Sequence, residues 1–164
     1  PLLQHGVMSM LAITQTNRAV LHEHAVREYP NECCGIIIGK EDGGAEEDQV
    51  RMLTNIQNRL HREDPRANPR DARIAYQIAP EEFYEVLKEA RQKELKVKAI
   101  YHSHPRNPVY FSAEDEEKAL IWGEPPCNYY LIMSIYDGEV KEEGVFRWEP
   151  SSGTFVREEV RIGQ

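Results

Sequence analysis

The feature that most constrains this chain is a pair of histidines one residue apart, His102 and His104, closing an apolar run over residues 97–104. In a strand, residues two apart project from the same face with their α-carbons roughly 7 Å apart, so both imidazoles can converge on one ion. On a helix the same spacing sends them to nearly opposite sides. His22 and His24 fall in a helical pattern, so they are poor co-ligands and are expected to be solvated helix residues. A chain that uses the second pair must therefore end a strand at that point. It must also bring another donor back over the strand end. Asp115, eleven residues after His104 in Ser112-Ala113-Glu114-Asp115, lies where a strand, a loop and the first turn of a helix would return it there. Two imidazoles and one carboxylate leave a coordination position open, as catalytic zinc sites do and closed structural sites do not. Zinc is the expected ion, although the same donors also admit iron or cobalt.

Ser112-x-x-Asp115 is at the same time a capping box, with Ser112 as the cap and Asp115 at its third position. Capping and ligation are compatible. Other metal constellations fit poorly: an iron facial triad reads H-x-D/E, and nucleobase deaminases need H-x-E with P-C-x-x-C. Pro126-Cys127 lacks the second cysteine. Cys33 and Cys34 are adjacent on an expected strand, so they point to opposite faces as small core hydrophobes. Three cysteines are too few for a disulfide framework, and a reducing cytoplasm is the expected compartment.

Around this site the pattern is α/β. Thr14 or Thr16 caps a helix that carries Leu21, Ala25 and Tyr29 and is stopped near Glu28 by Pro30. Cys33 to Ile38 and Val50 to Ile56 read as a strand pair across Asp42-Gly43-Gly44. Pro80 opens a helix whose Phe83, Val86, Leu87 and Ala90 share one face. Residues 97–104 form a strand, Ser112 to Trp122 a helix and Tyr129 to Tyr136 an apolar strand. Asp137-Gly138 turns into a strand over Val140 to Trp148, and a last strand carries Val156, Val160 and Ile162. Residues 55–80, broken by Pro65 and Pro69, read as a long surface loop with a short strand at Ile74, Tyr76 and Ile78. It carries Arg59, Arg62, Arg66, Arg70 and Arg73, either as solvated charges or as a docking patch for a substrate.

Twenty Lys and Arg against 28 Asp and Glu, a net charge of −8, argue against a nucleic-acid or anionic-membrane partner, since both need a basic footprint. At 164 residues the chain is expected to be one domain over residues 10–164. Residues 1–9 are read as an added or disordered lead.

The run Tyr101-His102-Ser103-His104-Pro105, with seven residues between His104 and Ser112 and then Asp115, resembles the JAMM, or MPN-plus, family of zinc metallopeptidases. That family's upstream glutamate is matched by Glu32 in Asn31-Glu32-Cys33-Cys34-Gly35-Ile36-Ile37-Ile38-Gly39. The resemblance spans Leu11 to Ile162 and is similar in length to stand-alone prokaryotic members. It implies a mixed, mostly antiparallel β-sheet flanked by helices, the JAMM/MPN fold related to cytidine deaminases. It implies Zn2+ on His102, His104 and Asp115, with Glu32 as proton shuttle and Ser112 steadying the oxyanion; Ser103, on the other face of the strand, is expected to be structural. It further implies cleavage after the C-terminal Gly-Gly of a ubiquitin-like or sulfur-carrier β-grasp protein, whose tail would add as a strand to a sheet edge. DNA-repair-associated relatives tend to read H-N-H-P-S-G. Here Ser103 and Arg106-Asn107 stand instead, favouring the peptidase branch. A non-catalytic MPN scaffold or a DNA-processing relative remain the alternative readings. The native carrier, the leaving amine and the oligomeric state are not encoded legibly.

Overall fold

The computed structural model describes residues 10–163, so the expected lead at 1–9 lies outside the described residues. In order along the chain come β1 (Ala12–Thr14), α1 (Gln15–Glu28), β2 (Cys34–Gly39), β3 (Gln49–Leu53), α2 (Gln57–Glu63), α3 (Pro80–Gln92), β4 (Lys96–Pro105), α4 (Ala113–Ala119), β5 (Tyr129–Tyr136), β6 (Glu139–Glu149), β7 (Thr154–Glu158) and β8 (Arg161–Gly163).

The apolar runs become the middle of one sheet, ordered β3-β2-β4-β5-β6-β7. Every pairing in it is antiparallel except β4 with β5. Because β2 and β5 are covered on both faces, their residues read as near-continuous apolar stretches rather than alternating ones. Side-chain alternation then sorts them into two cores. Cys34, Ile36, Ile38, Ile100 and Ile132 pack with Val86 and Ala90 of α3 and Ala119 of α4. Cys33, Ile37, Ala99, Tyr101, Leu131 and Met133 pack with Leu21 and Ala25 of α1 on the opposite face. The two adjacent cysteines thus part to opposite cores, free and buried.

The parallel pair needs a crossover, and α4 sits in it. The carboxyl end of β4 therefore opens beneath the start of α4, the place where α/β sheets form ligand sites. This is the mixed, mostly antiparallel architecture that the sequence predicts. No helix among the described residues is long and apolar enough to cross a membrane.

Several boundaries differ from expectation. The strand after Gly44 stops at Leu53, and α4 stops at Ala119, leaving Trp122 almost fully exposed. The single last strand is two: β7 pairs with β6, while β8 leaves that sheet and runs parallel to β1. The expected loop over 55–80 contains α2, and Ile74 to Ile78 contributes one isolated bridge, Asn55 to Ile78, rather than a strand. Tyr76 and Ile78 pack into the core, and polar side chains tie the rest of the segment. Asn55 donates through Nδ2 to the carbonyls of Glu32 (2.9 Å) and Ala75 (3.2 Å) and accepts through Oδ1 from the amides of Gln57 and Gln77 (3.0 Å each).

His24 corrects the expectation of a solvated pair. It is 2% exposed, and its Nδ1 lies 2.7 Å from the Tyr101 hydroxyl, joining α1 to β4. Burial lowers its pKa, against the opposing pull of Glu28, so the ring is neutral. The cause is a gap over Gly35, where the Tyr101 ring lies against the backbone and leaves its hydroxyl reaching for α1. His22 is partly exposed, with Nε2 3.2 Å from Glu143.

Candidate metal centre

His102 and His104 stand at the carboxyl end of β4, and alternation puts both rings on one side while Ser103 points to the other. There Ser103 Oγ accepts from the Cys33 amide at 2.8 Å, a structural role. Ser112 caps α4: its Oγ accepts from the Asp115 amide (3.0 Å) and its own amide donates to Asp115 Oδ2 (3.1 Å), completing a capping box. The cap fixes the rotamer of Asp115 and aims its carboxylate at the strand end. Capping and clustering are one arrangement, as the sequence allowed.

The three donors converge. Nε2 of His102 and Nε2 of His104 are 3.1 Å apart. Asp115 Oδ1 is 3.4 Å from His102 Nε2, and Oδ2 is 3.6 Å from His104 Nε2. Four-coordinate bonds of about 2.0–2.1 Å imply ligand-to-ligand edges of roughly 3.3–3.4 Å. The separations found are those of donor atoms arranged around one ion. All three residues are buried, and their ligand atoms lie within 4.8 Å of one another.

Their protonation suits ligation. His104 Nδ1 lies 2.9 Å from the Pro108 carbonyl, which can only accept, so that nitrogen is the donor and Nε2 is the one turned toward Asp115. Burial lowers the pKa of His102 although Asp115 opposes it, which favours neutral imidazole. Burial pushes the Asp115 carboxyl up, but His102, His104 and the Ser112 amide outweigh it and hold the group well below the ordinary carboxylate range. Two imidazoles facing one carboxylate form the donor set of an open divalent site. The residues present fit a metal ion.

Glu32 sits two residues before Cys34, which is paired with His102 in the sheet register. Its amide donates to the Ala72 carbonyl at 2.7 Å, and its carbonyl accepts from Asn55. The side chain is buried, and Oε1 has no hydrogen-bond partner among the described residues. Burial first, then the nearby charge of Asp115, push its pKa up to about 9. Two carboxyl groups on one cavity thus differ sharply in charge state, the separation that acid–base chemistry uses. Glu32, His104, Ser112 and Asp115 line a common cavity of about 280 Å³.

Sequence reasoning missed three neighbours. The Tyr76 ring stacks on His102 at 4.3 Å and 25°, supporting the imidazole whose Nδ1 has no hydrogen-bond partner among the described residues. Lys118 lies 4.8 Å over the Tyr76 ring, donates to the Tyr76 carbonyl and lines the cavity. Its spacing of i+3 from Asp115 was the available signal. Arg70 lines the cavity too. The other loop arginines do something else: Arg73 is forked onto Asp71, Arg59 is 3.8 Å from Glu63 on its own helix, and Arg62 and Arg66 are exposed.

A sheet carrying two strand-end histidines under a capped carboxylate defines an α/β domain of the JAB/MPN type with a candidate metal centre. The domain family described as prokaryotic homologs of the JAB domain matches residues 14–150, and the chain belongs to it. A CysO-cysteine peptidase of Mycobacterium tuberculosis is 26% identical over 156 residues, covering 88% of this chain and 95% of that protein. A desampylase of Haloferax volcanii is 31% identical over 113 residues, 68% of each. Among solved structures, a protein from Desulfitobacterium hafniense superposes with a TM-score of 0.69 at 24% identity, covering 94% of both chains. A JAB1/MPN domain protein from Archaeoglobus fulgidus gives a TM-score of 0.54 at 16% identity, covering 94% of this chain and 99% of that one. These two likenesses concern the fold.

Proposed function

We propose that this chain is a zinc-dependent peptidase that hydrolyses a peptide or isopeptide bond after the C-terminal Gly-Gly of a ubiquitin-like or sulfur-carrier β-grasp protein. The observation that carries the reading is the triangle of donor atoms from His102, His104 and Asp115, with sides of 3.1, 3.4 and 3.6 Å, facing the unpartnered carboxyl of Glu32. The names of the peptidase and desampylase relatives support the substrate class.

When bound by His102, His104 and Asp115, zinc supplies Lewis acidity that brings the pKa of water at the site to about 7. Glu32, buried and with a free oxygen, holds its proton in the metal-free chain; a divalent charge on the neighbouring donors would favour its carboxylate, which then accepts a proton from the attacking water and returns it to the departing amine. The Ser112 hydroxyl accepts from the Asp115 amide, so its own proton stays free to donate to the carbonyl oxygen as charge develops there. Tyr76 and the Pro108 carbonyl hold the two imidazoles in place. A glycine tail asks for no side-chain pocket and suits the narrow space left between residues 70–76 and α4. The exposed Arg62 and Arg66 are free to meet acidic groups on the carrier's body.

The test offers a β-grasp carrier fused through its Gly-Gly tail to a reporter. Wild type should release the reporter, while chelated protein and Glu32→Gln should not. Equal release by Glu32→Gln and wild type would end the role given to Glu32. A protein that holds metal yet releases nothing from any carrier would point to the scaffold reading instead.

A further inference from the structure

On an acidic chain, the cavity that holds Glu32, His104, Ser112 and Asp115 has two cations in its wall, Arg70 and Lys118. They are not equivalent. Lys118 is committed, since its ammonium donates to the Tyr76 carbonyl and caps the Tyr76 ring. Arg70 is anchored through its backbone, because the amide side chain of the buried Gln57 donates to its carbonyl at 2.8 Å. Among the described residues its guanidinium makes one ion pair, Nη1 to Glu114 Oε2 at 2.9 Å, and its side chain stays half exposed. The contrast with Arg73 is direct: there the fork is closed by both oxygens of Asp71. Arg70 thus carries donors to spare at the wall of the reaction cavity. The Glu114 contact shows that a carboxylate oxygen can reach this guanidinium and accept from it.

We propose that Arg70 is the anchor for a free α-carboxylate, so that the substrates are carrier tails in which Gly-Gly is extended by a single amino acid rather than joined to a lysine side chain. This rests on the peptidase reading above. The chemistry sets the distance. In a C-terminal amino acid the α-carboxylate is separated from the scissile nitrogen by one carbon, so its anchor must lie in the same small cavity as the groups that act on that nitrogen. Arg70 satisfies this. A lysine-linked partner would instead present an uncharged alkyl stem there, and nothing in it would match the guanidinium. In the reaction, one water is consumed: the Gly C–N bond breaks, a C–O bond forms, the carrier leaves as a carboxylate, and the amino acid leaves as an ammonium after taking up the protons of that water. The carboxylate on Arg70 does not change during the step, so Arg70 acts through binding and placement of the leaving group.

The probes are three synthetic peptides of one tail sequence: one ending in Gly-Gly-Ala with a free carboxylate, the same peptide as its carboxamide, and one with Gly-Gly joined to the ε-amine of a blocked lysine. Binding is measured by calorimetry on zinc-loaded Glu32→Gln, and cleavage is measured with zinc-loaded wild type. The free acid should bind, and be cleaved, roughly ten- to hundredfold better than the carboxamide, the range expected for a charge-assisted hydrogen-bonded pair. Adding Arg70→Gln should bring that ratio to about one. Glu114→Gln, which removes the competing carboxylate, should keep or raise it. A ratio near one in the parent protein, or a ratio that survives Arg70→Gln, overturns the proposal. Equal cleavage of all three peptides overturns this inference while leaving the peptidase reading standing. Failure to bind or cleave any of them removes both.

Discussion

Glu32→Gln tests the charge state of the buried carboxyl without reference to turnover. In the folded chain its pKa is pushed up to about 9 from an ordinary 4.5, burial being the first cause and the negative charge of Asp115 the second. Above pH 4.5 the unfolded chain releases this proton while the native chain keeps it, so the native state binds more protons and stability falls as pH rises. The full contribution is present below pH 4.5 and is lost as pH climbs toward about 9. Each pH unit costs ~1.4 kcal/mol, so at pH 7, two and a half units above 4.5, the wild type has given up about 3 kcal/mol. Glutamine is nearly isosteric with the protonated carboxyl and cannot ionise. In chelated protein, urea denaturation at pH 5, 6, 7 and 8 should therefore show Glu32→Gln gaining on wild type by about 1 kcal/mol per unit. Titrations shared by both proteins cancel in the difference. Parallel curves would mean that Glu32 is already ionised or solvated in the metal-free fold, and the reasoning that burial keeps its proton in place would fall.

Ser112→Ala removes the cap hydroxyl that receives the Asp115 amide; urea denaturation should show a loss of about 1 kcal/mol, and the hydrolysis rate should fall about a hundredfold if the hydroxyl also meets the oxyanion. His104→Ala deletes one corner of the donor triangle, so elemental analysis after dialysis should find little bound metal where wild type retains one ion, and the fold should survive by circular dichroism. Gly35→Ala sets a methyl against the Tyr101 ring, and since that ring is fixed by its hydrogen bond to His24, thermal unfolding should show a destabilisation of about 1–3 kcal/mol.

What could be read from the residues follows the range of the interactions that place them. His102, His104, Ser112 and Asp115 are set by strand alternation and one capped turn, both local, so their spacing alone brought them together. Glu32 lies seventy residues from His102, and what joins them is the pairing of Cys34 with His102 between β2 and β4. A register between distant strands has no local signature, and for that reason Glu32 entered through family likeness and not through spacing. Residues 55–79 show the same limit from the other side. Apart from Tyr76 and Ile78, whose alternation follows their packing into the core, they are held by Asn55, by Gln57 and by Asn58, whose Oδ1 accepts from the Ala72 amide at 2.8 Å, and such bonds leave no hydrophobic period to read. Yet this segment carries Arg70, Tyr76 and the carbonyl that fixes Glu32. Tyr76 and Ile78 fix its backbone in the core, while the Arg70 side chain stays half exposed at the cavity wall. The candidate donors His102, His104 and Asp115 are buried at the end of β4 and under the α4 cap, so they and the half-exposed guanidinium of Arg70 differ in how far each side chain can adjust.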